Sequence, residues 1–135
     1  MALSFEIEFG STQATAFQSE ARAGLRLPLP RLGGEGIERI FGLVEPAGEA
    51  EGFRLYSVGE LLIGCAVEAD RGGMEPAATA LYRRLLAAAQ GLHLYRIWNY
   101  VPEINRERAG LENYRAFNSG RARAFEQTFG HGYRQ

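Results

Sequence analysis

The sequence predicts an α+β fold in which two helices cover a β-sheet. Three observations support this prediction. The chain has 135 residues, of which 46% are hydrophobic and 23% charged, and this suits one folded domain, residues 1–135, with a substantial core. Period-two alternation recurs in the first half of the chain, whereas helical periodicity occupies two segments of the second half. The order of strands, helix, strand and helix is typical of a sheet with helices packed on it.

The first strand is predicted at residues 4–9, where apolar and polar side chains alternate. Residues 10–25 are polar and then ambiguous, which leaves room for another helix. The Leu-Pro-Leu-Pro sequence at 27–30 excludes a helix or a central strand, and Gly-Gly-Glu-Gly at 33–36 indicates a loop. The apolar run at 37–44 then predicts the next strand.

A hairpin is predicted in the middle of the chain. Residues 45–52 are polar and contain proline and glycine, so we expect an exposed turn there. Strands are predicted at 53–58 and 61–69, joined by Gly59-Glu60. Because residues 61–67 are apolar on both faces, this strand is expected to lie centrally, with cover on each side.

The second half of the chain contains both predicted helices. Pro76 in the first turn and Gly91 after the last turn bound a helix at 75–90. A strand is expected at 92–101, and a second helix at 112–129, interrupted by a glycine. The stripe expected to be buried on the first helix consists of Ala77, Leu81, Leu85 and Ala88.

Composition excludes several kinds of chemistry. All 15 basic residues are arginine, so a Schiff base, a P-loop lysine and a lysine base are absent. Cys65 is the single cysteine, and with His93 and His131 it has no metal-ligand spacing, so we expect no metal. No apolar run reaches the length of a membrane span, and residues 1–9 do not resemble a secretion signal. We therefore expect a cytoplasmic protein without a membrane contact.

Charge is unevenly distributed along the chain. Residues 1–95 carry 8 arginines and 12 acids, whereas residues 96–135 carry 7 arginines and 4 acids together with many aromatic side chains. Interleaved arginine and aromatic residues are one signature of nucleic-acid binding. However, the net charge of −1 gives little attraction to a polyanion. A small anion, bound by the planar guanidinium fork, is the favoured partner.

The candidate binding residues lie in this arginine-rich part. As a strand, residues 92–101 would present Arg96, Trp98 and Tyr100 on one face. In the second helix, spacings of four, three and four place a set of side chains on one face. That set is Tyr114, Asn118, Arg121 and Phe125. A guanidinium on an aromatic face needs a partner, and a ligand carboxylate would provide one.

Structural explanations for the same residues stay open. Either arginine could instead pair with an internal carboxylate such as Glu103 or Glu112. The Trp98 side chain could belong to the hydrophobic core, and Asn99 and Asn105 could cap turns.

Three runs of the sequence together resemble one family. They read Y-R-I-W-N-Y-V-P-E-I-N at 95–105, E-N-Y-R-A-F at 112–117 and G-R-A at 120–122. The combination resembles the chorismatases, or chorismate hydrolases, and proteins described as pteridine-dependent deoxygenase-like. The resemblance implies a YjgF-like, chorismate-mutase-like fold, a mixed sheet with two helices packed on one face. It also implies hydrolysis of the enol-pyruvyl ether of chorismate to pyruvate and a hydroxybenzoate or dihydroxycyclohexadiene carboxylate, without a metal or organic cofactor.

The resemblance also sets limits on function. The family sequence F-C-V-G-R reads F-N-S-G-R at 117–121. The resemblance also implies that the family's catalytic glutamate lies in a C-terminal half, which we expect to be outside these 135 residues. The chain therefore resembles an N-terminal half, and no catalytic acid is assigned. Arg121 and Tyr114 match motif positions as substrate-binding residues, with Asn118 beside them. Arg96 also matches, although it is a structural residue of the motif in the family, as are Trp98, Asn99 and Asn105.

Three functions follow from these observations. The first is a chorismatase-like domain that binds chorismate or a related aromatic-sized carboxylate and needs a second YjgF-like domain for catalysis. The second is a stand-alone, non-catalytic module that binds a small metabolite and associates as a homotrimer, with sites between subunits. The third, a nucleic-acid binder, is disfavoured by the net charge.

Overall fold

The computed structural model describes residues 2–28, 37–69, 72–101, 107–108 and 111–130. These described residues fall into two compact units, one within residues 1–67 and one within residues 68–135. The first unit contains a six-stranded sheet, and the second contains two helices. Several predicted features lie outside the described residues, namely the 33–36 loop, Pro102, Glu103, Asn105 and His131.

The first unit is a mixed sheet. Its strands follow the order β2-β3-β1-β4-β5-β6 across the sheet, with β1 and β3 parallel and the other neighbours antiparallel. The strands are β1 (Leu3–Phe9), β2 (Thr15–Gln18), β3 (Arg22–Leu27), β4 (Ile37–Ala50), β5 (Phe53–Val58) and β6 (Leu61–Cys65). One face of the sheet is apolar, and the rings of Phe5 and Tyr56 lie 5.5 Å apart there. The predicted first strand, the strand at 37–44 and the first hairpin strand are confirmed, whereas the second hairpin strand ends at Cys65 instead of residue 69.

The region left open for another helix consists of strands instead. Polar side chains of β1 alternate with its core residues and face the arginines of β3. Arg22 Nε donates to Glu6 Oε1 at 2.6 Å and Arg26 Nε donates to Glu8 Oε2 at 2.7 Å, while Arg22 also pairs with Glu8. Glu6 is only 3% exposed, so its charge is satisfied by this pairing between strands. These contacts between separate strands override the weak local pattern.

The predicted exposed turn at 45–52 is wrong in its extent. β4 continues through Ala50 and pairs with β5 across a register shift between Pro46 and Gly48. Such a bulge accommodates a proline, which has no N–H for the ladder. The turn is confined to Glu51 and Gly52, both with positive φ.

The predicted central position of the last hairpin strand is also wrong. Among the described residues, β6 pairs with β5 alone and forms an edge of the sheet. Leu61 and Leu62 each remain 47% exposed. The apolar run indicated a buried strand, but burial at the centre of a sheet requires a neighbouring strand on each side, and the run alone does not show whether a second neighbour exists.

The second unit is built on two helices, α1 (Met74–Ala88) and α2 (Asn113–Phe129), as predicted. Two short strands, β7 (Glu107–Arg108) and β8 (Leu111–Glu112), pair just before α2. The buried face of α1 is not the predicted stripe, whose four residues are only half-buried. Because α1 is apolar around much of its circumference, periodicity alone placed the stripe one residue out of register. The residues that α1 buries are Met74, Ala78, Thr79, Tyr82 and Leu86.

Gly120 allows α1 and α2 to approach closely. A Cβ atom at this position would overlap the Glu75 carbonyl oxygen and lie 2.8 Å from Ala78 Cβ. The Thr79 hydroxyl donates to the Gly120 carbonyl at 3.2 Å across the same contact. The glycine that the sequence marked as a helix interruption is therefore the point at which the helices meet.

The predicted strand at 92–101 is wrong. These residues have no regular secondary structure, and residues 91–99 are exposed. The sequence has strand propensity, but a strand also needs a neighbour, and the described part of the chain provides none for this segment. Neither described helix is long and apolar enough to cross a membrane.

Candidate functional site

The candidate site is built on a row of aromatic rings between α1 and α2. Tyr82 of α1 lies 5.9 Å from Phe117 and 6.1 Å from Phe125, and Phe125 lies 5.9 Å from Phe129, measured between ring centroids. We call these four residues the aromatic row. Phe117, Phe125 and Phe129 share one side of α2 because they are separated by multiples of four residues. Tyr82 and Phe117 belong to the buried core of the helix pair, Phe125 packs against that core, and Phe129 is 58% exposed.

Arg121 lies against this row. Its guanidinium carbon is 5.8 Å from the centre of the Phe117 ring, and the residue is half-buried. No carboxylate of the described residues pairs with it, so the proposed partner Glu112 is wrong for Arg121, while Glu103 is outside the described residues. On another side of α2, Arg123 pairs with Glu75 at 2.8 Å. A partly desolvated cation without an anion is an arrangement that favours binding of a carboxylate.

The other two predicted residues of α2 lie near Arg121. Asn118 is half-buried, and its amide has both donors and an acceptor for a polar ligand. Tyr114, one turn before Asn118, is 50% exposed. All three residues lie in α2, and spacings of four and three residues put them along one side of that helix; their role in binding stays a prediction.

Arg96 forms a second stack in the irregular segment. Its guanidinium carbon lies 4.9 Å from the centre of the Trp98 ring, and Trp98 is 45% exposed. The interpretation of Trp98 as a core residue is therefore wrong, and so is the shared strand face. Within the described residues, no hydrogen bond or ring contact joins Arg96 to α2. The two arginines occupy one unit but are not brought into contact.

Tyr82 is the residue that sequence reasoning missed. Its ring is buried in the aromatic row, and its hydroxyl donates to Asn99 Oδ1 at 2.7 Å. Asn99 Oδ1 therefore accepts a hydrogen bond from α1, and the turn-capping role of Asn99 stays a prediction. The available signal was that a buried tyrosine needs a hydrogen-bond partner, but Tyr82 was outside the predicted stripe.

The remaining reactive groups give no alternative site. Cys65 is buried in the first unit, and desolvation raises the pKa of its thiol to about 11, so it is an unreactive core residue. His93 is exposed. In the described ranges, no three His, Cys, Asp or Glu side chains are grouped so that they could hold a metal ion.

Comparison with known proteins identifies the family. Residues 44–133, two thirds of the chain, match the family described as "Chorismatase FkbO/Hyg5-like, N-terminal". The matched range includes the motif runs and the whole aromatic row. The chain therefore belongs to the FkbO/Hyg5-like chorismatase N-terminal family, as the sequence motifs predicted.

The chain is similar to parts of two longer proteins. A 3-hydroxybenzoate synthase of Streptomyces hygroscopicus is 54% identical over 35 residues, which are 25% of this chain and 10% of that protein. A crystal structure of a chorismatase matches with a TM-score of 0.75 and 28% identity, over 94% of this chain and 40% of the other. The chain thus spans less than half the length of the relatives it matches. The chorismatase match supports the α+β class.

Proposed function

We propose that this chain is a chorismatase-like domain that binds chorismate, or a related aromatic-sized carboxylate, through Arg121. Tyr114 and Asn118 would contact the same ligand from α2, and Arg96 would bind a second carboxylate. The observation that carries the proposal is the half-buried Arg121 against Phe117 without a carboxylate partner among the described residues. Membership of the chorismatase N-terminal family supports chorismate as the ligand.

The chemistry of the arginine suits this ligand. A guanidinium presents parallel N–H donors that match the two oxygens of a carboxylate, and its charge strengthens both hydrogen bonds. Stacking on Phe117 restricts the orientation of the Arg121 fork, so less freedom is lost when the ligand binds. Exposed Tyr114 offers an apolar ring face to the ring of the ligand.

Catalysis needs a group that the described residues do not bring to Arg121. Hydrolysis of the enol ether requires an acid that protonates the methylene carbon. Water then adds to the ether carbon and loses a proton, and the resulting hemiketal breaks its bond to the ring oxygen, which takes up a proton, so that pyruvate and a ring alcohol are released. We propose that a second YjgF-like domain supplies this acid, since the similar chorismatase is more than twice as long as the matching part. We also propose that the fold is YjgF-like and that the protein is cytoplasmic. The same proposal includes no metal, no organic cofactor and no nucleic-acid partner.

A second candidate function is favoured by one observation. Residues 92–99 expose several large apolar side chains without regular secondary structure, and such a surface favours association. The exposed set is Leu92, Leu94, Tyr95, Ile97 and Trp98. In this alternative the chain is a non-catalytic homotrimer that binds a small carboxylate between subunits.

The test combines binding with turnover. The chain is titrated with chorismate by calorimetry, and pyruvate release is followed with lactate dehydrogenase, with and without the remaining part of a chorismatase. The proposal expects binding by the chain and pyruvate only when the second part is present. Failure to bind chorismate would contradict the proposed ligand. Binding without pyruvate in either mixture, with a trimer by light scattering, would favour the non-catalytic module.

A further inference from the structure

We infer that the Tyr82 hydroxyl is the positioning group that fixes the irregular segment carrying Arg96 to the helix pair. Tyr82 is 2% exposed, and its hydroxyl donates to Asn99 Oδ1 at 2.7 Å. Asn99 itself is exposed and lies at the end of the exposed residues 91–99. This hydrogen bond therefore joins a fully packed helix residue to a segment that has no regular structure.

The ring of Tyr82 explains why the bond is fixed in space. It packs edge-on against Phe117, at an interplanar angle of 69°, and tilts against Phe125 at 45°. These contacts orient the ring, and the hydroxyl must then find a partner because a buried hydroxyl without one is costly. Asn99 meets this need, so its position is set by the helix pair rather than by its own segment.

The positioning extends to both candidate arginines. Trp98, which supports the Arg96 guanidinium, is the residue next to Asn99 in the chain. Phe117, which supports Arg121, contacts the Tyr82 ring directly. Tyr82 is therefore linked to Arg121 through its ring and to Arg96 through its hydroxyl. A ligand with two carboxylates binds best when the two cations that hold it are kept at a fixed separation. That Tyr82 positions the two arginines for such a ligand rests on the proposed function.

The chain contains one tryptophan, Trp98, which reports on this segment without any ligand. Tyr82→Phe keeps the ring and removes the hydroxyl. We expect the ratio of attached to detached segment to fall about fivefold, the usual effect of one hydrogen bond. Trp98 emission should shift to longer wavelength, and its quenching by acrylamide should increase.

The matched control is Tyr56→Phe. Tyr56 is also fully buried, and its hydroxyl donates to Gln18 Oε1 at 2.9 Å within the first unit. This variant loses an equivalent hydrogen bond, but it should leave Trp98 emission and quenching as in the wild type. If the Tyr82 side chain only packed the helix pair and did not hold the irregular segment, Tyr82→Phe would also leave the emission and quenching of Trp98 unchanged.

Asn99→Ala provides a second test from the exposed side of the bond. It should reproduce the Trp98 change of Tyr82→Phe, and the double variant should add nothing further. If Tyr82→Phe folds and its Trp98 quenching is unchanged, the inference is overturned. If Tyr82→Phe does not fold, unchanged Trp98 quenching in Asn99→Ala overturns it. A chorismate titration separates the two proposals, since failure of the wild type to bind contradicts only the proposed ligand.

Discussion

Arginine stacks on aromatic rings in both units, but the two settings differ in charge. In the first unit, the Arg26 guanidinium lies 4.2 Å from the centre of the Phe17 ring and pairs with Glu8, while Arg22 pairs with Glu6 and Glu8. In the second unit, Arg121 lies on Phe117 without such a carboxylate among the described residues. We therefore base the proposal of Arg121 as a ligand-binding residue on its unbalanced charge and not on the stacking itself.

The largest effect is expected where the second unit depends on close packing. Gly120→Ala places a methyl group against the Glu75 carbonyl oxygen, so the free energy of unfolding should fall by about 3 kcal/mol. Denaturant unfolding followed by circular dichroism measures this change. The control Ser119→Ala, on the exposed side of α2, should stay within about 0.5 kcal/mol. Equal stability of the two variants would contradict the close contact between the helices.

A smaller loss is expected where the first unit depends on charge pairing. Glu6→Gln keeps the shape of a buried side chain but removes one of the two carboxylate charges that pair with Arg22, the other being Glu8. Because Arg22 is partly exposed, we expect the free energy of unfolding to fall by about 2 kcal/mol, below the usual cost of breaking a buried pair. Exposed Glu20→Gln is the matched control and should be nearly neutral. If Glu6→Gln left the free energy of unfolding unchanged, charge pairing would not distinguish the first unit from the second.

The same contrast predicts a pH dependence. Hydrogen bonds from Arg22 and Arg26 lower the pKa of Glu8 below its ordinary value of 4.5 in the folded chain. The unfolded chain therefore takes up this proton first, so the stabilisation is present above about pH 4.5 and is lost as the pH falls through the folded pKa. Denaturant unfolding from pH 6 to pH 3 should show a shallower decline for Glu8→Gln than for the wild type. If the free energy of unfolding fell equally with pH in the variant and the wild type, the lowered pKa of Glu8 would be contradicted.

Local patterns predicted much of the fold but not its pairing. The strand at 4–9, the hairpin predicted at 53–58 and 61–69, and both helices were found because their patterns are properties of each segment alone, although the last hairpin strand ends at Cys65. β2 and β3 were missed because their order depends on contacts such as that of Arg22 with Glu6, sixteen residues away. Residues 92–101 have the composition of a strand, but composition does not supply the neighbour that a strand requires.

The candidate site divides in the same way. Tyr114, Asn118 and Arg121 were placed on one helix face by their spacing, which is fixed by helix geometry. The Arg96 stack on Trp98 and the Tyr82–Asn99 hydrogen bond involve an irregular segment, and no periodicity predicts where such a segment lies. The family motif includes Arg96, Trp98 and Asn99 without giving their contacts, and Tyr82 lies outside it.

The most direct measurement of the central claim compares two arginines of α2. Arg121→Gln and Arg115→Gln remove the same charge, but Arg115 is exposed on another face of the helix. In a calorimetric titration with chorismate, we expect Arg121→Gln to weaken binding at least about tenfold, the effect of losing a charged hydrogen bond, and Arg115→Gln to bind as the wild type does. Equal affinities for the two variants would contradict the assignment of Arg121 as the carboxylate-binding residue.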